Sequence, residues 1–134
     1  MKRLWVDANV LVRFLTGEPK DMYERSLALM TRVERGEVTL VVSQLVVAEV
    51  IWVLKSFYEH SMEQISKVVI GLLSAPGVEA EDRETMIRAV DLAREKNVDF
   101  IDAHLALRAA AQDEEVCTFD KTDFKRLPVC WISP

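Results

Sequence analysis

The chain has 134 residues, 50% of them hydrophobic and 29% charged, which argues against disorder and fits one domain over residues 1–134. No apolar run approaches the roughly 20 residues that cross a bilayer, and Asp7 interrupts any signal-peptide core, so we expect a cytoplasmic protein without a membrane partner. The formal net charge of -5 argues against an extended basic face for duplex nucleic acid, although it leaves room for a small nucleic-acid active site.

The predicted elements alternate between short strands and amphipathic helices. In chain order they are a buried strand at 4–6, a helix with apolar positions at 27–33, a buried strand at 38–42, an apolar helix at 45–54, a helix opened by Ser61, a weaker strand at 78–80, helices at 83–96 and 102–111, and strands at 116–119 and 129–132. This order predicts an α/β fold with a mainly parallel sheet of four or five strands, covered on both faces.

The cysteines and tryptophans have apolar neighbours. For Cys117 and Cys130 this pattern predicts reduced, packed thiols rather than a disulfide or a metal site. For Trp5, Trp52 and Trp131 it favours core packing over stacking on bases.

Two acids follow predicted strands. Asp7 ends the first strand and Asp120 ends the strand at 116–119. Ligands of parallel α/β sheets bind beyond the carboxyl ends of the strands, so both carboxylates are candidates for a site there. The alternative for each is an N-cap of the following helix.

Glu49 is the single charge among nine apolar residues in the segment 45–54. This composition predicts a nearly buried helix, in which the carboxylate needs a cation, a metal or a hydrogen-bonded partner. A buried structural ion pair is the alternative.

Asp99 and Asp102 are spaced i, i+3 at the start of a predicted helix. We expect Asp99 to be the N-cap, with Asp102 completing a variant of the capping box, and Asp102 also to point into a polar pocket. Hard oxygen ligands without a matching set of His or Cys favour Mg²⁺ or Mn²⁺ over zinc. The chemistry expected of such a site is phosphoryl transfer to water.

Four motifs resemble those of the PIN-domain ribonucleases: 6–11 (VDANVL), 47–50 (VAEV), 100–103 (FIDA) and 118–124 (TFDKTDF). Length and motif order are most similar to the VapC-type toxins of type II toxin–antitoxin pairs, which are small endoribonucleases held inactive by a cognate antitoxin. The resemblance implies a three-layer α/β/α sandwich. It also implies metal-dependent cleavage of single-stranded RNA that leaves a 5′-phosphate and a 3′-hydroxyl.

The resemblance also implies roles for individual residues. Asp7, Glu49, Asp102 and Asp120 correspond to an acidic quartet for Mg²⁺ or Mn²⁺, with Asp7 and Asp102 as direct ligands and the other two binding through water. Asn9 corresponds to a polar position that orients the first carboxylate. Asp99 and Asp123 are further acids near the motifs that either enter the metal shell or cap helices; we expect capping for Asp99 and a weak auxiliary role for Asp123.

Further residues near the motifs have two interpretations. Four basic residues either contact phosphates of the RNA or are only solvated surface charges, and Lys121 is the best candidate for a contact; the others are Arg13, Lys125 and Arg126. Tyr58 and Phe14 are candidates for stacking on bases, and we expect His104 to be packed rather than a general base. Apolar helices at 27–33 and 65–72 favour a homodimer or an antitoxin-covered surface.

Three other functions compete with the nuclease. A phosphatase that forms an aspartyl phosphate needs a second acid where Asn9 stands, so it lacks its proton donor here. A phosphate-accepting signalling domain or a non-catalytic RNA-binding module would bind metal without RNA turnover.

Overall fold

A computed structural model describes residues 2–134, which contain seven helices and five strands. The chain forms two compact units, the first ending at Arg83 and the second spanning Glu84–Pro134. The strand pairings of both units are parallel, so the α/β class and the mainly parallel pairing are confirmed. The described strands form a three-stranded and a two-stranded sheet, whereas the sequence predicts one sheet of four or five strands.

The first unit is a three-stranded parallel sheet with four helices. Its elements are β1 (Lys2–Trp5), α1 (Ala8–Thr16), α2 (Lys20–Glu34), β2 (Val38–Val42), α3 (Gln44–Ser56), α4 (Met62–Ser74) and β3 (Val78–Ala80). The β-branched run of β2 occupies the centre, where Leu40 pairs with Leu4 of β1 and with Val78 of β3. Since β2 has neighbours on both sides and helices beside it, four of its five residues are buried.

The second unit contains mainly α5 (Arg83–Lys96), α6 (Phe100–Ala111), β4 (Val116–Cys117), α7 (Lys121–Phe124) and β5 (Trp131–Ile132). β4 and β5 pair in parallel, with Val116 opposite Trp131. Met86 and Val90 of α5 are fully buried, and Ala103 and Ala106 of α6 are as well, because they recur at helical spacing on one face.

Several burial predictions are wrong. β1 begins at Lys2, and only Leu4 within it is half-buried. Trp5 and Trp52 are each 66% exposed and Trp131 is half-buried, so core packing does not describe these tryptophans. An apolar neighbourhood along the chain does not decide which side of a strand or helix is covered, because that depends on packing between elements.

The cysteine prediction is wrong about packing. Cys117 and Cys130 are both free thiols, but both are exposed. Successive side chains of a strand point to opposite faces, so the burial of Val116 leaves Cys117 on the open side of the two-residue strand β4.

Candidate active site

Three carboxylates meet in the second unit. Asp102 lies in the first turn of α6, and Asp120 and Asp123 lie at the N-cap and in the first turn of α7. One oxygen from each carboxylate lies within 4.8 Å of the others. We call these three residues the aspartate cluster.

Local hydrogen bonds of α7 hold two members of the aspartate cluster. The Asp120 carboxylate accepts the backbone N–H of Asp123 at 3.1 Å, and the Asp120 N–H donates to Thr118 Oγ1 at 2.9 Å. The guanidinium of Arg126 pairs with Asp123 and also donates to the Lys96 carbonyl. The chain therefore turns sharply after β4 and presents Asp120 and Asp123 from one short helical segment.

The pKa of the Asp102 carboxyl is raised above its usual range. Desolvation by burial is the largest cause. The negative charges of three neighbours, Asp99, Asp120 and Asp123, raise this pKa further. Because a divalent cation offsets that repulsion and all three cluster ligands are hard oxygens, the cluster fits a hard divalent cation.

Asp99 occupies the predicted N-cap of α6, but the predicted capping box is not formed. Its backbone is extended, and its carboxylate accepts no capping hydrogen bond from the described residues of α6. Asp99 is exposed, and its negative charge raises the pKa of Asp102. Asp99 thus acts on Asp102 through its charge instead of capping the helix through its side chain.

Asp7, in the first unit, is the N-cap of α1. Its Oδ1 accepts the backbone N–H of Val10 at 3.1 Å. Asp7 and Asp120 therefore both cap the helix that follows them, which is the alternative role that the sequence offers for each. Each capping bond uses one carboxylate oxygen, so capping is compatible with binding a cation through the other.

Glu49 is exposed, so the prediction of a nearly buried α3 is wrong. The helix buries one stripe, Val47, Val50, Ile51 and Leu54, while Leu45 is 84% exposed. The charge of Glu49 therefore needs no buried partner. Glu49 instead lines a cleft of about 240 Å³, which we call the α1–α3 cleft.

The α1–α3 cleft also contains Asn9, Arg13, Phe57 and Tyr58. Arg13 Nη1 donates to Tyr58 Oη at 3.1 Å, whereas Arg13 Nε is buried without a hydrogen-bond acceptor among the described residues. The rings of Phe57 and Tyr58 lie 5.8 Å apart. Sequence reasoning singled out Arg13 and Tyr58 but missed Phe57, whose signal is an aromatic pair at the end of an apolar helix.

Two sets of the sequence-predicted residues each come together within one unit, and Asp7 belongs to neither set. Asp102, Asp120 and Asp123 come together in the second unit, and Asn9 and Glu49 line the same cleft in the first. Lys121 is exposed beside the aspartate cluster in sequence. His104 is half-buried with its ring 5.8 Å from that of Phe100, in agreement with the predicted packing role.

The fold and the acidic residues define an α/β protein with a carboxylate centre suited to a hard divalent cation. The protein-family model for the PIN domain matches residues 4–129. The chain therefore belongs to the PIN domain family and has its α/β/α fold, which confirms the predicted family and fold class. The family is one of nucleases, which supports a hydrolase.

Two other comparisons give little further information. No curated protein matches the chain. A similar solved structure is that of VapBC2 from Rickettsia felis bound to a DNA fragment from their promoter, with 20% identity, coverage of 100% of this chain and 99% of that one, and a TM-score of 0.39. Among the described residues, no helix combines the length and apolar character needed to cross a membrane.

Proposed function

We propose that the chain is a Mg²⁺- or Mn²⁺-dependent endoribonuclease, a single nuclease domain over residues 1–134 that hydrolyses phosphodiester bonds of single-stranded RNA. The observation that carries the proposal is the aspartate cluster, found in a chain of the PIN domain family. A bound divalent ion would supply Lewis acidity toward the phosphate and lower the pKa of water.

The proposed ligands follow from the cluster and from the motifs. Asp102 and Asp120 belong to the cluster, and we assign Asp7 and Glu49 as further ligands on the motif resemblance alone. Asp123 becomes a stronger candidate than its sequence suggests, because one of its carboxylate oxygens lies within 4.8 Å of a carboxylate oxygen of each of the other two. We assign Asn9 to orienting Asp7, and Lys121 to a contact with substrate phosphate.

Cleavage of a labelled single-stranded RNA tests this activity directly. We expect cleavage with Mg²⁺ or Mn²⁺, none with EDTA, and products that carry 5′-phosphate and 3′-hydroxyl ends. Asp102→Asn should reduce the rate at least about a hundredfold, since it removes a charge that acts on the ion. Undiminished cleavage by Asp102→Asn would contradict the site, and metal binding without any RNA turnover would favour a non-catalytic module.

The motif order further supports a cytoplasmic toxin of a toxin–antitoxin pair that is held inactive by a cognate antitoxin. The partly exposed apolar side chains Leu27 and Val68, on the helices that the sequence singles out, support a homodimer. Expression of the wild-type chain should arrest growth of a bacterial host, and Asp102→Asn should not. Co-expression of a small protein encoded beside the gene should restore growth and co-purify with the chain. Arrest that persists in Asp102→Asn would show that toxicity does not come from the nuclease.

A further inference from the structure

The α1–α3 cleft combines an aromatic wall with a fixed cation. Phe57 is 79% exposed at the C-terminal end of α3, and its ring is tilted by 55° against that of Tyr58. The Tyr58 ring in turn meets His60 edge-on at 6.1 Å. Tyr58 thus contacts two rings and is bonded to Arg13, whereas Phe57 is open to solvent.

Arg13 supplies the cation of the cleft. Its Nη1 is occupied by Tyr58 Oη, and its buried Nε–H has no acceptor among the described residues. Buried donors without acceptors are uncommon in folded proteins, so this one requires an explanation. Arg13 therefore keeps N–H groups beyond the one bonded to Tyr58, and an anion with several oxygens, such as a phosphate, accepts from a guanidinium at two N–H groups at once.

Arg13 also lines a second cleft. It measures about 350 Å³ and is lined by Arg13 and Arg25 together with residues of α1 and α2. Two guanidinium groups thus lie along neighbouring depressions of the first unit. Such a row of cations suits a chain of phosphates better than it suits a single anion.

We infer that the α1–α3 cleft is a nucleotide subsite for single-stranded RNA, in which a base stacks on Phe57 and Tyr58 and its phosphate is held by Arg13. This inference rests on the proposed function and deepens it. Aromatic stacking combined with backbone cations is the usual way in which proteins bind unpaired bases. The cleft, at about 240 Å³, offers one aromatic wall and one cation, which match the base and the phosphate of a single nucleotide.

Binding in EDTA tests the subsite separately from catalysis. The probe is 5′-labelled single-stranded oligoadenylate or oligouridylate, followed by fluorescence anisotropy. Phe57→Ala should weaken binding about fivefold to a hundredfold, the range measured for loss of one stacked base, and Arg13→Gln at least fivefold. An oligonucleotide of abasic ribose phosphates should be bound equally by Phe57→Ala and the wild type, and more weakly by Arg13→Gln.

Matched controls use exposed side chains outside the cleft. Trp52→Ala removes an exposed aromatic ring from the same helix, and Arg32→Gln removes an exposed cation from α2; both should bind as the wild type does. Because Phe57 is largely exposed, Phe57→Ala should unfold at the same temperature as the wild type. Tyr58→Phe, which keeps the ring and removes the hydroxyl bonded to Arg13, should produce a smaller loss than Arg13→Gln.

Several results would overturn the subsite. One is that the wild type does not bind the oligonucleotide. Another is that Phe57→Ala and Arg13→Gln bind it as tightly as the wild type does. A third is that the control variants Trp52→Ala and Arg32→Gln lose as much affinity as the cleft variants. Variants that keep RNA but release a co-purifying antitoxin would show that the cleft is a protein contact. RNA cleavage with Mg²⁺ is scored in a separate assay, so a binding protein that does not cleave would refute the nuclease and leave the subsite standing.

Discussion

Asp7 and Asp120 each perform a structural task in addition to the one we propose in catalysis. Each carboxylate accepts a hydrogen bond from the backbone of the first helical turn, at 3.1 Å in both cases. This bond restricts the side chain to one orientation, and such restriction favours a site that must hold an ion in fixed geometry. Capping and metal binding therefore support each other at these positions.

Asp7→Asn separates the two tasks. Asparagine caps helices as well as aspartate does, so the free energy of unfolding should change by less than about 0.5 kcal/mol while RNA cleavage falls at least about a hundredfold. Asp7→Ala should lose the cleavage and also about 1 kcal/mol of stability. Urea denaturation and cleavage of labelled RNA provide the two measurements.

Ser61→Ala is the matched control, because Ser61 caps α4 through a capping box. It should lose about 1 kcal/mol of stability and keep full cleavage. If Asp7→Asn cleaves RNA normally, Asp7 is only a cap.

Asp102→Asn should stabilise the metal-free protein at neutral pH. Since the folded-state pKa of this carboxyl lies above the ordinary value of 3.8, its ionised form destabilises the fold at higher pH. Below that value both states are protonated, so the gain should vanish as the solution is acidified. The side chain is partly solvated, which limits the gain to about 1 kcal/mol.

Thermal unfolding in EDTA at several pH values measures this gain. Asp91→Asn is the control, since the Asp91 carboxylate pairs with Arg94 and gains nothing by losing its charge. A gain for Asp102→Asn that stays constant down to pH 3 would contradict the electrostatic explanation. Mg²⁺ should reverse the order, stabilising the wild type more than the variant.

At the residue scale, the sequence predicts where a residue lies within a helix or strand better than it predicts how buried that residue is. Asp120 follows a strand and Asp102 opens a helix because local chain chemistry determines those places, and both join the aspartate cluster. Asp123 was undervalued, since the turn that brings it beside Asp120 is set by the Thr118 bond and the short helix α7. Glu49 stands out in the sequence because its apolar neighbours predict a buried α3, but which face of α3 is covered depends on packing between elements.

At the element scale, a close approach joins the turn before β3 to the end of α2. Gly77 has φ +84, and a Cβ added there would lie 2.8 Å from Val33 Cγ1 and 2.9 Å from the Val33 carbonyl oxygen. The Gly77 carbonyl also accepts the backbone N–H of Leu40 in the central strand. Both the backbone angle and the space therefore require glycine at this point.

Gly77→Ala should destabilise the chain by about 2 kcal/mol or more, because the energetic cost of the left-handed backbone angle adds to that of the steric clash with Val33. Gly71 is the matched control, since it lies within α4 with no atom within 4 Å of an added Cβ. Gly71→Ala should raise stability by about 0.5–1 kcal/mol through helix propensity. Equal effects of the two substitutions in urea denaturation would contradict the close approach.

The elements themselves were largely predictable, and their lengths were less so. The β-branched run of β2 was predicted with its bounds because Gly36 and Ser43 flank it. β4 and β5 have two residues each where four were expected, since strand length depends on how far a partner strand continues to pair. No local pattern reports the length of that partner.

At the scale of the whole molecule, the net charge of -5 would oppose RNA if it were spread evenly. It is not evenly spread, because three acids are concentrated in the aspartate cluster while Arg13 and Arg25 line neighbouring clefts. RNA affinity should therefore depend on a few local cations, and the protein should make few phosphate contacts compared with a basic RNA-binding domain.

The salt dependence of RNA binding measures that number. Each phosphate contact contributes a slope of about -0.7 in a plot of log affinity against log salt for single strands, so Arg25→Gln should make the slope less steep by about that amount. Arg32→Gln, an exposed arginine of α2 outside both clefts, should leave the slope unchanged. If Arg25→Gln lowers affinity at every salt concentration without changing the slope, Arg25 contributes to the shape of the binding surface and does not contact a phosphate. If both variants change the slope equally, RNA responds to the net charge of the molecule, and a local row of cations is the wrong description.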